Sequence, residues 1–230
     1  TIEPIECEWG ARQVKINEFM PDPDGTDGGA EWIELYNASD EPVSLTGWDL
    51  RWALSSSTSN EHALASTAIA PGEFYVISGE LVGGGHELAE LNLGNASSNA
   101  DIIQLVTGGG TIVDSLIYGS TNEDGWLDDS GAEATSLAPK PSEGQSIARA
   151  VDGVDTDECG DDFLRFDDPT IGSSNADGIV DTAEPDDEPV EGFEPSSCSG
   201  ADIIKINEVM ANPDGADTDA EWVELYNAGS

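Results

Sequence analysis

Two acidic loops carry the residues in this sequence that are best suited to bind a ligand. Each loop places carboxylates at alternate positions around a glycine turn. The first loop contains Asp22, Asp24, Asp27 and Glu31, and its later copy contains Asp214, Asp217 and Asp219. The second loop contains Asp152, Asp155 and Asp157. Hard oxygen ligands at this spacing suit Ca²⁺, so we predict calcium sites here, with ordinary Asp and Gly turns as the alternative.

Residues for catalysis are less well placed in the sequence. The two histidines, His62 and His86, lie in polar or glycine-rich stretches with no second histidine four residues on. No nucleophile elbow lies near either serine-rich stretch, and carboxylate pairs are too abundant for any one of them to indicate a glycosidase site. We therefore expect that the chain is not an enzyme and that both histidines are solvated loop residues.

A long repeat organises the chain. The segment 15–38, KINEFMPDPDGTDGGAEWIELYNA, recurs without a gap as KINEVMANPDGADTDAEWVELYNA at 205–228. A fixed long period is typical of an array of domains, so we predict one complete unit and the opening of a second. The segment 176–197 is acidic and proline-containing and lacks Lys and Arg, which predicts an extended linker. The predicted parts are an N-terminal segment 1–13, a domain 14–175, this linker, and a repeat fragment 198–230.

The charge of the chain excludes some partners. Seven Lys and Arg against 48 Asp and Glu give a formal net charge of −41, which repels nucleic acid and anionic lipid headgroups. No run of eighteen apolar residues is present, so we expect no direct membrane insertion. The acidic surface favours divalent cations or a saline habitat, and the alternative is that the charge only solvates the protein. Protein partners, or copies of the chain itself, are the expected contacts.

Short strands dominate the local pattern. The predicted strands are rich in β-branched and aromatic residues and are separated by Pro, Gly, Asp and Asn clusters. They are Val14–Met20, Glu31–Ala38, Val43–Trp52, Glu73–Ser78, Asp101–Thr107, Thr111–Tyr118 and Gln145–Ala150. Alternation from Trp32 to Leu35 predicts a half-buried strand. About seven or eight such strands predict an antiparallel β-sandwich.

Ordered motifs in these strands resemble a known family. They are Ile16-Asn17-Glu18 with the following Pro, Asp and Gly loop, Glu31 to Asn37, Leu45-Thr46-Gly47-Trp48-Asp49-Leu50, Ile69 to Ile77, Gly144 to Arg149, and Pro169 to Asn175. Together they look like a lamin tail domain, with a match running from about Val14 to Asn175. The resemblance implies an all-β, immunoglobulin-like antiparallel sandwich and little about activity.

An insert departs from the usual form of that family. It spans Gly119–Ser142 and shows no strand alternation. We predict a surface loop at one end of the sandwich, in which Trp126 and Leu127 either contact a partner or pack the loop itself.

The cysteines and the first residue favour an extracellular protein. Cys7 and Cys198 occupy corresponding places before the two repeats, so we predict a disulfide between Cys7 and Cys159, with three reduced cysteines as the alternative. The chain begins at Thr1, which leads us to expect a removed signal peptide. The predicted location is secreted or at the cell surface.

Three functions remain open on the sequence. The first is a structural or adhesion module of a secreted multidomain protein. The second is a fibre or assembly subunit whose hairpin at about 202–228 docks on or swaps with a neighbouring copy. The apolar residues of that hairpin include Ile206, Val209, Trp222, Val223, Leu225 and Tyr226. The third, suggested by the family resemblance, is an accessory domain of a secreted hydrolase whose catalytic part lies elsewhere.

Overall fold

The computed structural model describes residues 13–55, 58–178, 204–210 and 222–227. The chain divides into two units, residues 1–181 and 182–230, and each is described by itself. Within the described ranges, no helix has the length and apolar character needed to cross a membrane.

The first unit is built from short strands. Its strands are β1 (Val14–Met20), β2 (Trp32–Asn37), β3 (Val43–Ser44), β4 (Asp49–Ser55), β5 (Thr58–Ala63), β6 (Ala68–Ile69), β7 (Phe74–Ser78), β8 (Glu87–Leu88), β9 (Asp101–Val106), β10 (Ile112–Tyr118), β11 (Ser146–Arg149) and β12 (Phe163–Phe166). One helical turn, α1 (Cys159–Asp162), precedes β12, and a 3-10 turn spans Asn175–Gly178.

These strands form two main sheets that pack as a β-sandwich. The first sheet has the order β12-β11-β1-β2-β7-β8, and the second has the order β10-β9-β4-β5. All pairs are antiparallel except β7 with β8. Strands β3 and β6 pair separately. The all-β, immunoglobulin-like sandwich predicted from the sequence is thus confirmed.

The core lies between the two sheets. It contains fully buried side chains from the first sheet, such as Ile16, Phe19 and Ile33, and from the second, such as Leu50 and Ile103. Burial of such side chains contributes about 1.5–3 kcal/mol each relative to exposure. The β-branched and aromatic residues that identified the strands therefore also supply the main stabilising contacts.

A β-bulge interrupts the pairing of β1 with β2. Ile16 pairs with Leu35 and Glu18 with Glu34, so Asn17 is the additional residue. A bulge re-aims side chains beside it, and here it places three polar residues, Asn17, Glu18 and Glu34, in buried positions.

The outer face of the first sheet is also covered, which differs from the half-buried strand expected from the alternation. Met20, Trp32 and Val76 form a second apolar cluster there, and Val82 and Ile171 pack against it. The covering segments come from the loop after β7 and from the end of the domain. Every residue of β1 is therefore buried.

Strand boundaries differ from the prediction in the middle of the domain. The predicted strand Val43–Trp52 is two strands, because Leu45 to Trp48 form a turn in which Gly47 has a φ of 77°. Such a φ suits glycine. Strands β5 and β12 were not predicted. The sequence of β5, TSNEHA, is polar and lacks the apolar alternation on which the prediction rests, and β12, FLRF, spans only four residues.

The second unit contains a hairpin of β13 (Ile204–Met210) and β14 (Trp222–Asn227). Its register repeats that of β1 and β2, with Ile206 opposite Leu225 and Glu208 opposite Glu224, and the same shift between them. The copied sequence therefore forms the same backbone pairing, including the bulge. The assembly residues predicted from the sequence lie on these two strands.

Candidate functional site

A buried charge network lies where the first sheet meets the second sheet and the insert. We define it as Lys15, Asp114, Asp129, Arg149, Asp155 and Asp162. Strands β1, β10 and β11 supply Lys15, Asp114 and Arg149, and α1 supplies Asp162. Asp129 comes from the insert and Asp155 from the loop after β11. The network thus joins residues that are far apart in sequence.

Lys15 lies among three carboxylates. Its Nζ donates a hydrogen bond to Asp155 Oδ2, and it is 3.7 Å from Asp114 Oδ1 and 3.9 Å from Asp129 Oδ2. Only 10% of the Lys15 side chain is exposed. The ammonium group is therefore held by carboxylates instead of water.

Arg149 is the second cation of the network, and its side chain is 1% exposed. It donates to Asp114 at 3.2 Å, to Asp162 at 3.1 Å and to Asp155 at 3.4 Å. Its Nε also donates to the backbone oxygen of Ile16 at 2.9 Å. A planar guanidinium with several donors suits such a shared position.

The network shifts the titration of its members. Burial acts to lower the pKa of Lys15, but the nearby carboxylates of Asp114 and Asp155 raise it above its ordinary value. Burial raises the pKa of Asp114 in spite of its two cationic neighbours. Burial, and then a hydrogen bond with Asp157, raise the pKa of Asp129 to about 7. Burial would raise the pKa of Asp155, but Arg149 and Lys15 hold it below its ordinary value.

Three carboxylates of the network also have the spacing of a metal site. Ligand atoms of Asp114, Asp129 and Asp155 lie within 4.8 Å of one another, the one such group among the described residues. Asp155 belongs to the calcium loop predicted from the sequence, whereas Asp114 and Asp129 were not predicted. The Lys15 ammonium contacts all three, so a divalent ion at this place would compete with an internal cation.

The other predicted residues of that loop have separate partners. Asp152 accepts hydrogen bonds from Asn17, Ser174 and the backbone of Asn175. Asp157 donates its backbone N–H to Asp155 Oδ1 at 3.3 Å. Asp152 thus fastens the end of the domain to the bulge in β1 and lies outside the metal-like group.

Glu18 and Glu34 fasten the same end segment. Glu18 accepts hydrogen bonds from the backbone and hydroxyl of Thr170, and Glu34 accepts one from the backbone of Gly172 at 2.6 Å. Burial raises the pKa of Glu34 to about 8, opposed by its hydrogen bonds with Gly172 and Asn17. The segment 169–175, which we call the exit segment, is therefore anchored by buried carboxylates that accept hydrogen bonds from its backbone N–H groups.

The first predicted calcium loop is more open. The pKa of Asp22 is raised by partial burial and by the like charges of Asp27 and Glu143. Glu31 has a hydrogen-bond partner outside this loop, because its Oε1 accepts the backbone N–H of Leu93 at 2.9 Å. Burial raises the pKa of Glu31 to about 7.

Asp24 lies beside Gly144, where the φ of Gly144 is 79°. The copied ligands Asp214, Asp217 and Asp219 lie outside the described residues. Calcium binding by either loop stays a prediction.

The predicted disulfide involves one described cysteine. Cys159 is buried, its Sγ lies 3.6 Å from the backbone oxygen of Ser115, and burial raises the pKa of its thiol to about 12. Cys7 lies outside the described residues, so the pairing stays a prediction.

Of the two histidines, His86 lies in an exposed loop as the sequence suggested, whereas His62 is a half-buried strand residue and not a solvated loop residue. His62 lies on β5, and its Nε2 is 2.8 Å from Glu87 Oε1. Tyr75 donates to the same carboxylate at 2.9 Å, and its ring stacks on His86. Since β5 and β8 are edge strands of different sheets, this contact joins the two sheets along one open edge of the sandwich.

One known protein family matches part of this chain. The model of the family described as Lamin Tail Domain matches residues 10–120, which include β1 to β10. The motifs in β11 and in the exit segment fall outside the matched range, yet β11 pairs with β1 and completes the same sheet. A search of curated proteins finds no match to the chain.

Proposed function

Because residues 10–120 make this chain a member of the lamin tail domain family, a structural family of β-sandwich interaction modules, we propose that it is a non-enzymatic structural or adhesion module of a secreted or cell-surface protein. In this proposal the sandwich presents its surface loops to protein partners. The observation that carries the proposal is the repeated hairpin, because repetition of whole domains is typical of extended structural proteins.

The repeat preserves the residues that need partners. Polar positions of β1 and β2 that are buried in the first unit recur in the second at Lys205, Asn207, Glu208, Glu224 and Asn227. In the first unit their partners come from later segments, such as Thr170 for Glu18 and Ile69 for Asn37. In this proposal, equivalent partners of the hairpin come from a complementing half-sandwich of another repeat.

The second candidate function is assembly through the hairpin. In the first sheet, β1 pairs with β11 and β2 with β7, so the equivalent edges of β13 and β14 are able to accept strands. Exposed edges of this kind favour strand addition. A neighbouring copy is one source of such strands.

Two substitutions between the repeats oppose a simple swap into the first unit. Phe19 and Ile33 are fully buried, and Phe19 packs on Tyr118 with ring centroids 4.7 Å apart. The copies have the smaller Val209 and Val223 at these positions. Replacing both would cost about 2–4 kcal/mol in lost core packing. The first hairpin should therefore keep its place, which favours the array over the swapped subunit.

Light scattering tests this choice. The solution mass of residues 1–230 is compared with that of a version ending at Gly178. Monomers of both support the module, whereas defined oligomers of the long version alone support the assembly subunit and contradict our preference.

Calcium stabilisation and secretion complete the proposal. Partial burial, and then the like charges of Asp27 and Glu143, raise the pKa of Asp22, and a bound cation would relieve the repulsion between these carboxylates. Thermal unfolding with CaCl₂ and with MgCl₂ at equal ionic strength tests the calcium site. Peptide mapping without reductant tests the disulfide between Cys7 and Cys159 and, with it, the extracellular location.

A further inference from the structure

The contact between Lys15 and Asp155 joins the two ends of the folded domain. Lys15 lies on the first strand, and Asp155 follows β11 by a short loop. Nζ of Lys15 hydrogen-bonds to Asp155 Oδ2, and the two side chains are 10% and 13% exposed. A primary amine is thus held against a carboxyl group with little access to water.

The groups around this pair are those that amide formation requires. Asp114 Oδ1 is 3.7 Å from the same Nζ and is fully buried, so it is placed to carry a proton. Arg149 Nη1 lies 3.4 Å from Asp155 Oδ1, the carboxylate oxygen that does not bind Lys15. Donors on this oxygen stabilise the negative charge that develops when a nucleophile adds to the carbon.

We propose that Lys15 Nζ and Asp155 Cγ form an intramolecular amide bond, with Asp114 as the proton carrier and Arg149 as the donor to the oxyanion. The bond is a self-catalysed modification of the domain. It ties β1 covalently to the segment that follows β11.

The step balances without an added reagent. The Lys15 ammonium gives one proton to Asp114, and the free amine then attacks Cγ of Asp155. The C–N bond forms while negative charge collects on Oδ1 beside Arg149. The remaining excess proton of the nitrogen and the proton held by Asp114 pass to Oδ2, the C–O bond breaks, and one water molecule leaves. Nothing is oxidised or reduced.

Burial favours the neutral amide over a permanent ion pair between Lys15 and Asp155. Two charges in a low-dielectric site carry a large desolvation cost, and the neutral amide removes both of them. Burial also raises the pKa of Asp114, which makes that carboxylate a better proton acceptor. The opposing effect is that the carboxylates around Lys15 favour its charged form, so the proton transfer to Asp114 depends on the 3.7 Å contact between the two groups.

The intact mass of the purified full chain tests the proposal. We expect a mass lower than that of the sequence by one water molecule, and a proteolytic peptide that links Lys15 to Asp155. A mass equal to that of the sequence after prolonged incubation would overturn the proposal. So would a crosslink from Lys15 to Asp114 or Asp129.

Two variants control this measurement, because succinimide formation at Asp-Gly pairs such as Asp152-Gly153 also removes water. Lys15→Met should restore the full mass, and a water loss that persists in this variant would overturn the proposal. Asp155→Asn keeps an acceptor but releases ammonia in place of water, so its mass should fall by one ammonia relative to its own sequence. The presence or absence of the Lys15–Asp155 peptide in the chain without substitutions decides whether the amide forms, even if a variant does not fold.

Discussion

At the scale of single residues, buried polar side chains determine how this sandwich closes. Asn17 occupies the bulge of β1, donates to Glu34 and Asp152, and accepts the backbone N–H of Gly153. Arg149 holds three carboxylates that come from different parts of the chain. Removing one partner of such a network leaves uncompensated charge in the interior. These positions should therefore be more sensitive to substitution than their polar character alone suggests.

Arg149→Met should destabilise the domain by about 3–5 kcal/mol, because it leaves Asp162 without its cation and Asp114 with Lys15 as its one cationic neighbour. The matched control is Arg165→Met on the adjacent strand, where an exposed guanidinium donates to the backbone of Lys140. The control should cost less than about 1 kcal/mol. Urea denaturation at neutral pH measures both values, and similar losses in the two variants would contradict a special role for Arg149.

Glu34 should make the stability of the domain fall as the pH rises. Burial raises its pKa from 4.5 to about 8 in the folded protein, so the folded state binds the proton more tightly than the unfolded state does. The contribution of Glu34 to stability is therefore complete below its unfolded pKa and is lost as the pH rises toward 8. Between about pH 6 and about pH 8.5 we expect a loss on the order of 2 kcal/mol.

The Glu34→Gln variant tests this dependence, since it removes the titrating group but keeps the size of the side chain. Its unfolding free energy should change less with pH than that of the unsubstituted protein. Glu41→Gln, at an exposed position, is the control and should leave the slope unchanged. An equal slope in all three proteins would show that Glu34 does not titrate in this range.

At the scale of elements, the insert is a packed loop. Trp126 packs against the main core, and its Nε1 donates to the backbone of Ala100 at 3.1 Å. The Asn122 side chain donates to the backbone oxygens of Trp126 and Ala134. Of the two roles left open by the sequence, the structure supports packing by the loop's own side chains for Trp126, while Leu127 stays 47% exposed.

Trp126→Ala should therefore cost about 2–4 kcal/mol of stability, because it removes both apolar contact and a hydrogen bond. Leu127→Ala is the neighbouring control and should change stability by less than about 0.5 kcal/mol. Thermal unfolding of the two variants measures the difference. A larger loss of stability for Leu127→Ala would indicate that the loop packs through Leu127 instead of Trp126.

At the scale of the whole molecule, the large net negative charge should control stability and association. The network of Lys15 and Arg149 uses two of only seven basic residues, while 48 acidic residues give the formal charge of −41. Mutual repulsion of this size opposes the compact state and keeps copies of the chain apart. Stability and association should then depend strongly on ionic strength.

Raising NaCl from about 0.02 M to about 0.5 M should raise the melting temperature, because screening weakens repulsion between surface carboxylates. The buried network is screened less and should contribute little to this change. Calorimetry at several salt concentrations measures the trend. A melting temperature that falls with salt would mean that surface ion pairs outweigh the repulsion.

The sequence by itself determined the longer apolar strands, the repeat and the family resemblance, although it missed β5 and β12. Apolar alternation and turn residues act over a few neighbours, so the bounds of β1 follow from the sequence alone and β2 differs from its prediction by one residue at each end. The tertiary structure decided which charges meet. Lys15 and Asp155 are 140 residues apart, and Ile16 and Asp114 are 98 apart. Such contacts depend on strand order, bulge and sheet packing, and no local pattern in a chain rich in aspartate distinguishes the few carboxylates that the fold buries.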